Sequence, residues 1–149
     1  MNSRSMLLTL LDHLEHAYEE VLDGLNDQQM GYTASAFDGE TIAQVAAHAY
    51  QTMLSFAMVA AGLEWPGETI SDANRSESMA QLDALQEQVR SLVVGLAEKR
   101  LSHPVSLPWG ETMTAAEAVI AGAAHALVHA GKISAMRAAG GFPVEAEDY

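Results

Sequence analysis

Four separate stretches of this chain repeat apolar residues at helical spacing, and chain-breaking residues stand between them. In the first, Leu7, Leu11, Leu14, Tyr18, Val21 and Leu25 step by three or four, which places them on one face of an amphipathic helix over 5–25. Thr41 and Gln44 have the spacing of a capping box, in which each side chain satisfies an orphan backbone donor at a helix start. They predict a second helix over 42–62, apolar almost all round, so that most of its surface is buried. A stripe of Leu82, Leu85, Val89, Leu92 and Leu96 predicts a third helix over 76–100, with Lys99 and Arg100 placed to complement the negative end of its dipole. Thr114 and Glu117 repeat the capping-box spacing, and Gly140, Gly141 and Pro143 stop a last helix over 115–139.

The connections read as turns and loops. Asn26 to Gly31 is mostly polar and Asp38-Gly39 marks a turn; residues 63–75 contain Trp65-Pro66-Gly67 and Asp72-Ala73-Asn74, which favour a loop of a length that often carries function. Pro104 and Pro108 exclude helix from 101–113, where Val105, Leu107 and Trp109 alternate as in one short extended segment, too little to predict a sheet. The expectation is an all-α, up-down-type four-helix bundle forming a single domain over 1–149, with a frayed acidic end. A chain of 149 residues and 49% apolar content has enough material for such a core.

Charge and cysteine usage narrow the chemistry. Twenty acids against seven Lys and Arg give a formal net charge of −13, which opposes a phosphate backbone and an anionic lipid surface alike. Neither nucleic acid nor membrane is expected as a partner, and the cytoplasm is the expected location. There is no cysteine, so no disulfide, thiolate ligand or protein thiol nucleophile is available, and any soft metal chemistry has to rest on histidine. The eight methionines, scattered at helical spacing, read as core filler.

The last helix carries His125 and His129, four apart and therefore on one face about a turn from each other. Their stripe, Ala118, Gly122, Ile133 and Met136, is apolar and small, which turns the pair toward the bundle interior. His48 lies on a comparable stripe with Val45, Thr52, Ser55 and Val59. Interior histidines on facing helices are how bundles build metal sites, and three imidazoles leave coordination positions open. The same spacing is equally that of buried histidines hydrogen-bonded within a core. His13, at the edge of the first stripe, is a candidate to support a ligand from behind; His16 faces solvent, and His103 precedes Pro104 in a non-helical connection. Lys132 and Arg137, beyond His129, are candidates to meet a substrate carboxylate as well as ordinary cations near a helix C-terminus.

The segment Thr41-Ile42-Ala43-Gln44-Val45-Ala46-Ala47-His48, with the last-helix stretch His125-Ala126-Leu127-Val128-His129-Ala130-Gly131-Lys132-Ile133 and the preceding Trp109-Gly110-Glu111, resembles the DinB/YfiT superfamily. The resemblance covers nearly the whole chain and implies a four-helix bundle with a metal triad of His48, His125 and His129. Lys132 stands where that family usually has glutamine. The implied function is that of a divalent-metal-dependent enzyme, with zinc or nickel activating a thiol or water for S-transfer, isomerisation or hydrolysis of a small molecule, a low-molecular-weight thiol taking part. The alternative is a non-catalytic metal-binding or stress-associated bundle. A homodimer is also expected, since the helices carry more apolar surface than one four-helix core needs.

Overall fold

Both capping boxes start helices at the residues expected. In the computed structural model, which describes residues 2–66 and 75–145 (the backbone alone for 75–81), Gln44 N donates to Thr41 Oγ1 at 3.0 Å and Thr41 N to Gln44 Oε1 at 2.8 Å. The pair opens the helix Ile42–Ala60. Glu117 N and Thr114 Oγ1, at 3.1 Å, open Ala115–Gly140, which closes at Gly141 with φ 84°, a left-handed conformation that suits glycine. In chain order the helices are α1 (Ser3–Leu22), the single turn α2 (Asp27–Met30), α3 (Ile42–Ala60), α4 (Arg75–Val94) and α5 (Ala115–Gly140).

The four long helices form the expected bundle around one hydrophobic cluster. The α1 stripe of Leu7, Leu11, Leu14, Tyr18 and Val21 is buried, as are Leu82, Leu85 and Val89 of α4. Each of α1 and α3 packs on both α4 and α5, so α1 and α3 face each other across the core, where Tyr18 and Tyr50 meet edge to face at 4.8 Å. Pairings along the helices give their directions. Arg90 reaches Asp12 and Glu15 while Arg4 reaches the Leu96 carbonyl, making α1 and α4 antiparallel. Lys132 meets Glu40 while Gly122 abuts Met53 and Phe56, so α3 and α5 are antiparallel too. Tyr18 Oη donates to the Ala126 carbonyl and Arg137 to that of Val21, so α1 runs parallel to α5, and α3 in turn runs parallel to α4; the bundle is the one expected, but the up-down alternation is broken between these two helices. Parallel neighbours need a connection that travels the length of a helix, about 30 Å for 20 residues. Residues 61–74 have that reach, at roughly 3.4 Å per extended residue.

Two further expectations need correction. The third helix ends at Val94 and not near residue 100, because Gly95 follows and Glu98–Ser102 tightens into a 3-10 turn. Arg100 does serve a helix C-terminus, but that of α3, donating from Nε to the Ala60 carbonyl at 3.0 Å. The region expected to hold no sheet forms a hairpin of β1 (Pro104–Ser106) and β2 (Thr112–Thr114), with Val105 paired to Met113. Strands of three residues are too short for alternation to reveal. Leu107 N bonds to the Glu111 carbonyl at 2.9 Å across the turn, and Gly110 supplies φ 91°. Of the long loop expected over 63–75, residues 63–66 have no regular structure and 67–74 lie outside the described residues.

Candidate metal centre

His48 of α3 and His125 and His129 of α5 come together. Their ring centroids are 5.2 Å apart for His48 and His125, 5.0 Å for His48 and His129, and 4.2 Å for His125 and His129. Each ring offers one nitrogen, and the three nitrogens lie within 4.8 Å of one another. All three side chains are half-buried, flanked on α5 by buried Ala118, Gly122, Ile133 and Met136. The interior stripe read from the sequence therefore does face α3. Gly122 explains how two helices approach closely enough: a Cβ there would stand 2.8 Å from Met53 Sδ and 2.9 Å from Phe56 Cβ.

The His129 tautomer follows from its surroundings. Nδ1 lies 2.9 Å from the His125 carbonyl, and a carbonyl only accepts, so Nδ1 carries the proton and Nε2 keeps its lone pair for a ligand. Three imidazole nitrogens with no thiolate are a donor set that fits a divalent metal ion. An ion held at about 2.0–2.1 Å sets such donors roughly 3.4 Å apart, against a spread of up to 4.8 Å here.

One step further along α3, a cleft of about 510 Å³ opens, lined by His48, Thr52, Ser55, Phe56, Trp65, Trp109 and His125. Thr52, Ser55 and Phe56 come from α3, Trp65 from the segment after it, and Trp109 from the hairpin turn. Ser55 Oγ is engaged with the Gln51 carbonyl at 3.0 Å. The indole Nε1 of Trp109 donates to Glu111 Oε2 at 2.9 Å.

The DinB superfamily's sequence model matches residues 10–133. The chain belongs to the DinB superfamily. Among solved structures, YfiT from Bacillus subtilis, "a probable metal-dependent hydrolase with an unusual four-helix bundle topology", aligns with a TM-score of 0.67 at 18% identity over 93% of this chain and 88% of its own. A mycothiol-dependent maleylpyruvate isomerase aligns at 0.57 and 21% identity over 89% of this chain, which spans 63% of the isomerase. A His-to-Ala variant of that isomerase gives 0.54 at 20% identity over 89% of this chain and 63% of its own. Among curated proteins no sequence match was found. At these identities the structural likeness establishes the fold.

The other residues singled out in this DinB chain stand away from the triad. His13 and His103 are exposed, and His13 supports no ligand because it stands on the solvent side of α1. His16 is exposed as expected, with Nε2 3.0 Å from Glu20. Lys132, where the family usually has glutamine, is paired with Glu40 at 2.7 Å. Arg137 is buried and donates to the carbonyls of Val21, Asp23 and Phe142 at 2.8, 3.2 and 3.0 Å. It holds the end of α1 against α5 through Nε and Nη1 and is not among the residues lining the cleft beside the histidines, so it is not placed to meet a substrate carboxylate there. The aromatic side of the cleft had only one signal in the sequence: both tryptophans fall in loops, where a large apolar ring has no core to fill.

Proposed function

We propose that this protein is a divalent-metal-dependent enzyme acting on a small molecule, with His48, His125 and His129 as the protein ligands. One observation carries the reading: three imidazoles from two helices converge beside a cleft open to solvent. A zinc or nickel ion bound there lowers the pKa of a coordinated water or thiol and so supplies a nucleophile near neutral pH. The chain's own part is to orient the imidazoles, His129 through its Nδ1–H on the His125 carbonyl, and to line the approach to them with Phe56, Trp65 and Trp109. The likeness to YfiT supports hydrolysis, and that to the mycothiol-dependent isomerase supports a low-molecular-weight thiol as co-substrate.

The second reading, a metal that merely ties α3 to α5 with no turnover, is disfavoured by the site's openness. Structural zinc sites are usually closed and four-coordinate. The charge of −13 supports a small-molecule partner over nucleic acid. By length and composition α5 is apolar enough to cross a membrane, but it lies in this bundle against α1 and α3. Its exposed line of Ile120, Ala124, Leu127, Val128 and Gly131 carries no charge. We read that line as the contact of a homodimer in the cytoplasm, since an uncharged face is where two acidic copies meet without repulsion. Sedimentation as a monomer at micromolar concentration removes the dimer.

The deciding experiment is elemental analysis of protein purified without a histidine tag, followed by screens for thiol transfer and for ester and amide hydrolysis. Stoichiometric zinc or nickel, with turnover lost on chelation and restored by the metal, is the expected result. Metal without turnover in any screen favours the second reading, and metal-free protein overturns both.

A further inference from the structure

The chain has two tryptophans, and both stand at the cleft. Trp65 and Trp109 meet edge to face at 5.4 Å, and Phe56 meets Trp65 at 5.0 Å and Trp109 at 6.1 Å. Rings in mutual edge contact leave no slot between them; they make a continuous wall that presents ring surface to the cleft. Trp109 is 56% exposed, a large apolar ring kept in water and held in place by its bond to Glu111. Such a ring gains by burial under another flat apolar group.

Charge narrows the occupant. None of the seven lining residues is Lys or Arg. Arg4, Arg90, Arg100 and Arg137 are bound to carbonyls or carboxylates elsewhere, and Lys132 to Glu40. Among the described residues, the formal charge bonded to the wall is the Glu111 carboxylate, on Trp109 Nε1. Away from the histidines, an anion finds a like charge and apolar rings, whereas an uncharged ring finds a complementary surface.

We propose that this wall is the specificity subsite of the enzyme and takes an uncharged aromatic group of the substrate, whose reactive end extends past Thr52 to the histidines. The proposal rests on the metal-enzyme reading for what the subsite serves, but its test does not require turnover. The two indole N–H resonances of a ¹H–¹⁵N spectrum report the wall directly. Benzyl alcohol should shift both and saturate, while benzenesulfonate, the same ring with a weakly coordinating anion, should bind at least about fivefold more weakly. Trp109→Ala, with helix content and the Trp65 resonance checked, should lower benzyl alcohol affinity about fivefold, and Trp109→Phe should keep most of it. Glu111→Gln, which retains an acceptor for the indole and removes the charge, should narrow the gap between the two probes. Indole signals that do not move with benzyl alcohol, or benzenesulfonate binding as tightly, overturn the subsite. Metal analysis of the same samples separates the two ideas: metal-free protein that still binds benzyl alcohol sinks the metal reading and leaves the subsite standing.

Discussion

The two antiparallel pairs of the bundle, α3 with α5 and α1 with α4, are built from different side chains. The buried face of α5 is mostly small, with Ala115, Ala118, Gly122, Ala123, Ala126 and Ala130, so α3 comes close and imidazoles from the two helices reach one another. The buried face of α1 is Leu7, Leu11, Leu14, Tyr18 and Val21, side chains that hold helices apart and fill the space between. Across α1 and α4 the polar link is peripheral: Arg90 Nε and Nη2 bond to the two oxygens of Glu15 at 3.0 Å each, and Nη2 also to Asp12. Interaxial distance follows the size of contact side chains. Close approach is thus reserved for the pair that carries the site, and bulk for the pair that supports it.

Substitutions test that division. The largest effect is expected at the histidines: His48→Ala, His125→Ala and His129→Ala should each lose most of the metal affinity while retaining the helical spectrum, because two protein ligands replace three. Full metal in both α5 variants returns these residues to the role of hydrogen-bonded core histidines. Next comes close packing itself. Gly122→Val drives atoms into Met53 and Phe56 and should cost about 3 kcal/mol in denaturant unfolding, at the upper end for overpacking, with weaker metal binding as the helices part. Tyr18→Phe removes a buried 2.7 Å bond to the Ala126 carbonyl and should cost about 1–2 kcal/mol. Burial, and after it Tyr50, push the Tyr18 hydroxyl well above the usual tyrosine range, so this donor stays protonated and its contribution should be flat across neutral pH. The smallest effect belongs to the α1/α4 link. Arg90→Ala should cost at most about 1 kcal/mol, fading in high salt, as expected of partly exposed ion pairs, with metal content unchanged. A metal loss there equal to that of Gly122→Val would erase the distinction between the two pairs.

What the sequence disclosed and what it withheld divide along physical lines. Helix starts were legible because a capping box is a local, two-residue device, and the α1 stripe because a one-sided helix has a strong period. The end of α4 was misplaced because Lys99 and Arg100 look like dipole-complementing residues of their own helix, when Arg100 caps α3. The parallel run of α3 beside α4 left no mark except a long connection, since direction is a property of contacts between helices. His48, His125 and His129 were legible as interior residues from the stripes they interrupt, and as a triad only with the family resemblance. Phe56, Trp65 and Trp109 come from three separate segments, and no spacing along the chain joins them.

The hairpin that carries Trp109 is small, and Val105 and Leu107 root it in the core. Its strands are three residues each, and the tip of its turn, 108–111, is exposed and contributes no histidine. The triad, by contrast, is locked to two helices that the whole core fixes. Changes confined to that exposed tip are therefore free to retune what the cleft admits, in length, ring type or charge, without disturbing the histidine triad. Descendants of one bundle would diverge in what the cleft accepts while inheriting the same triad, and an engineer seeking a new ligand should begin by exchanging that tip.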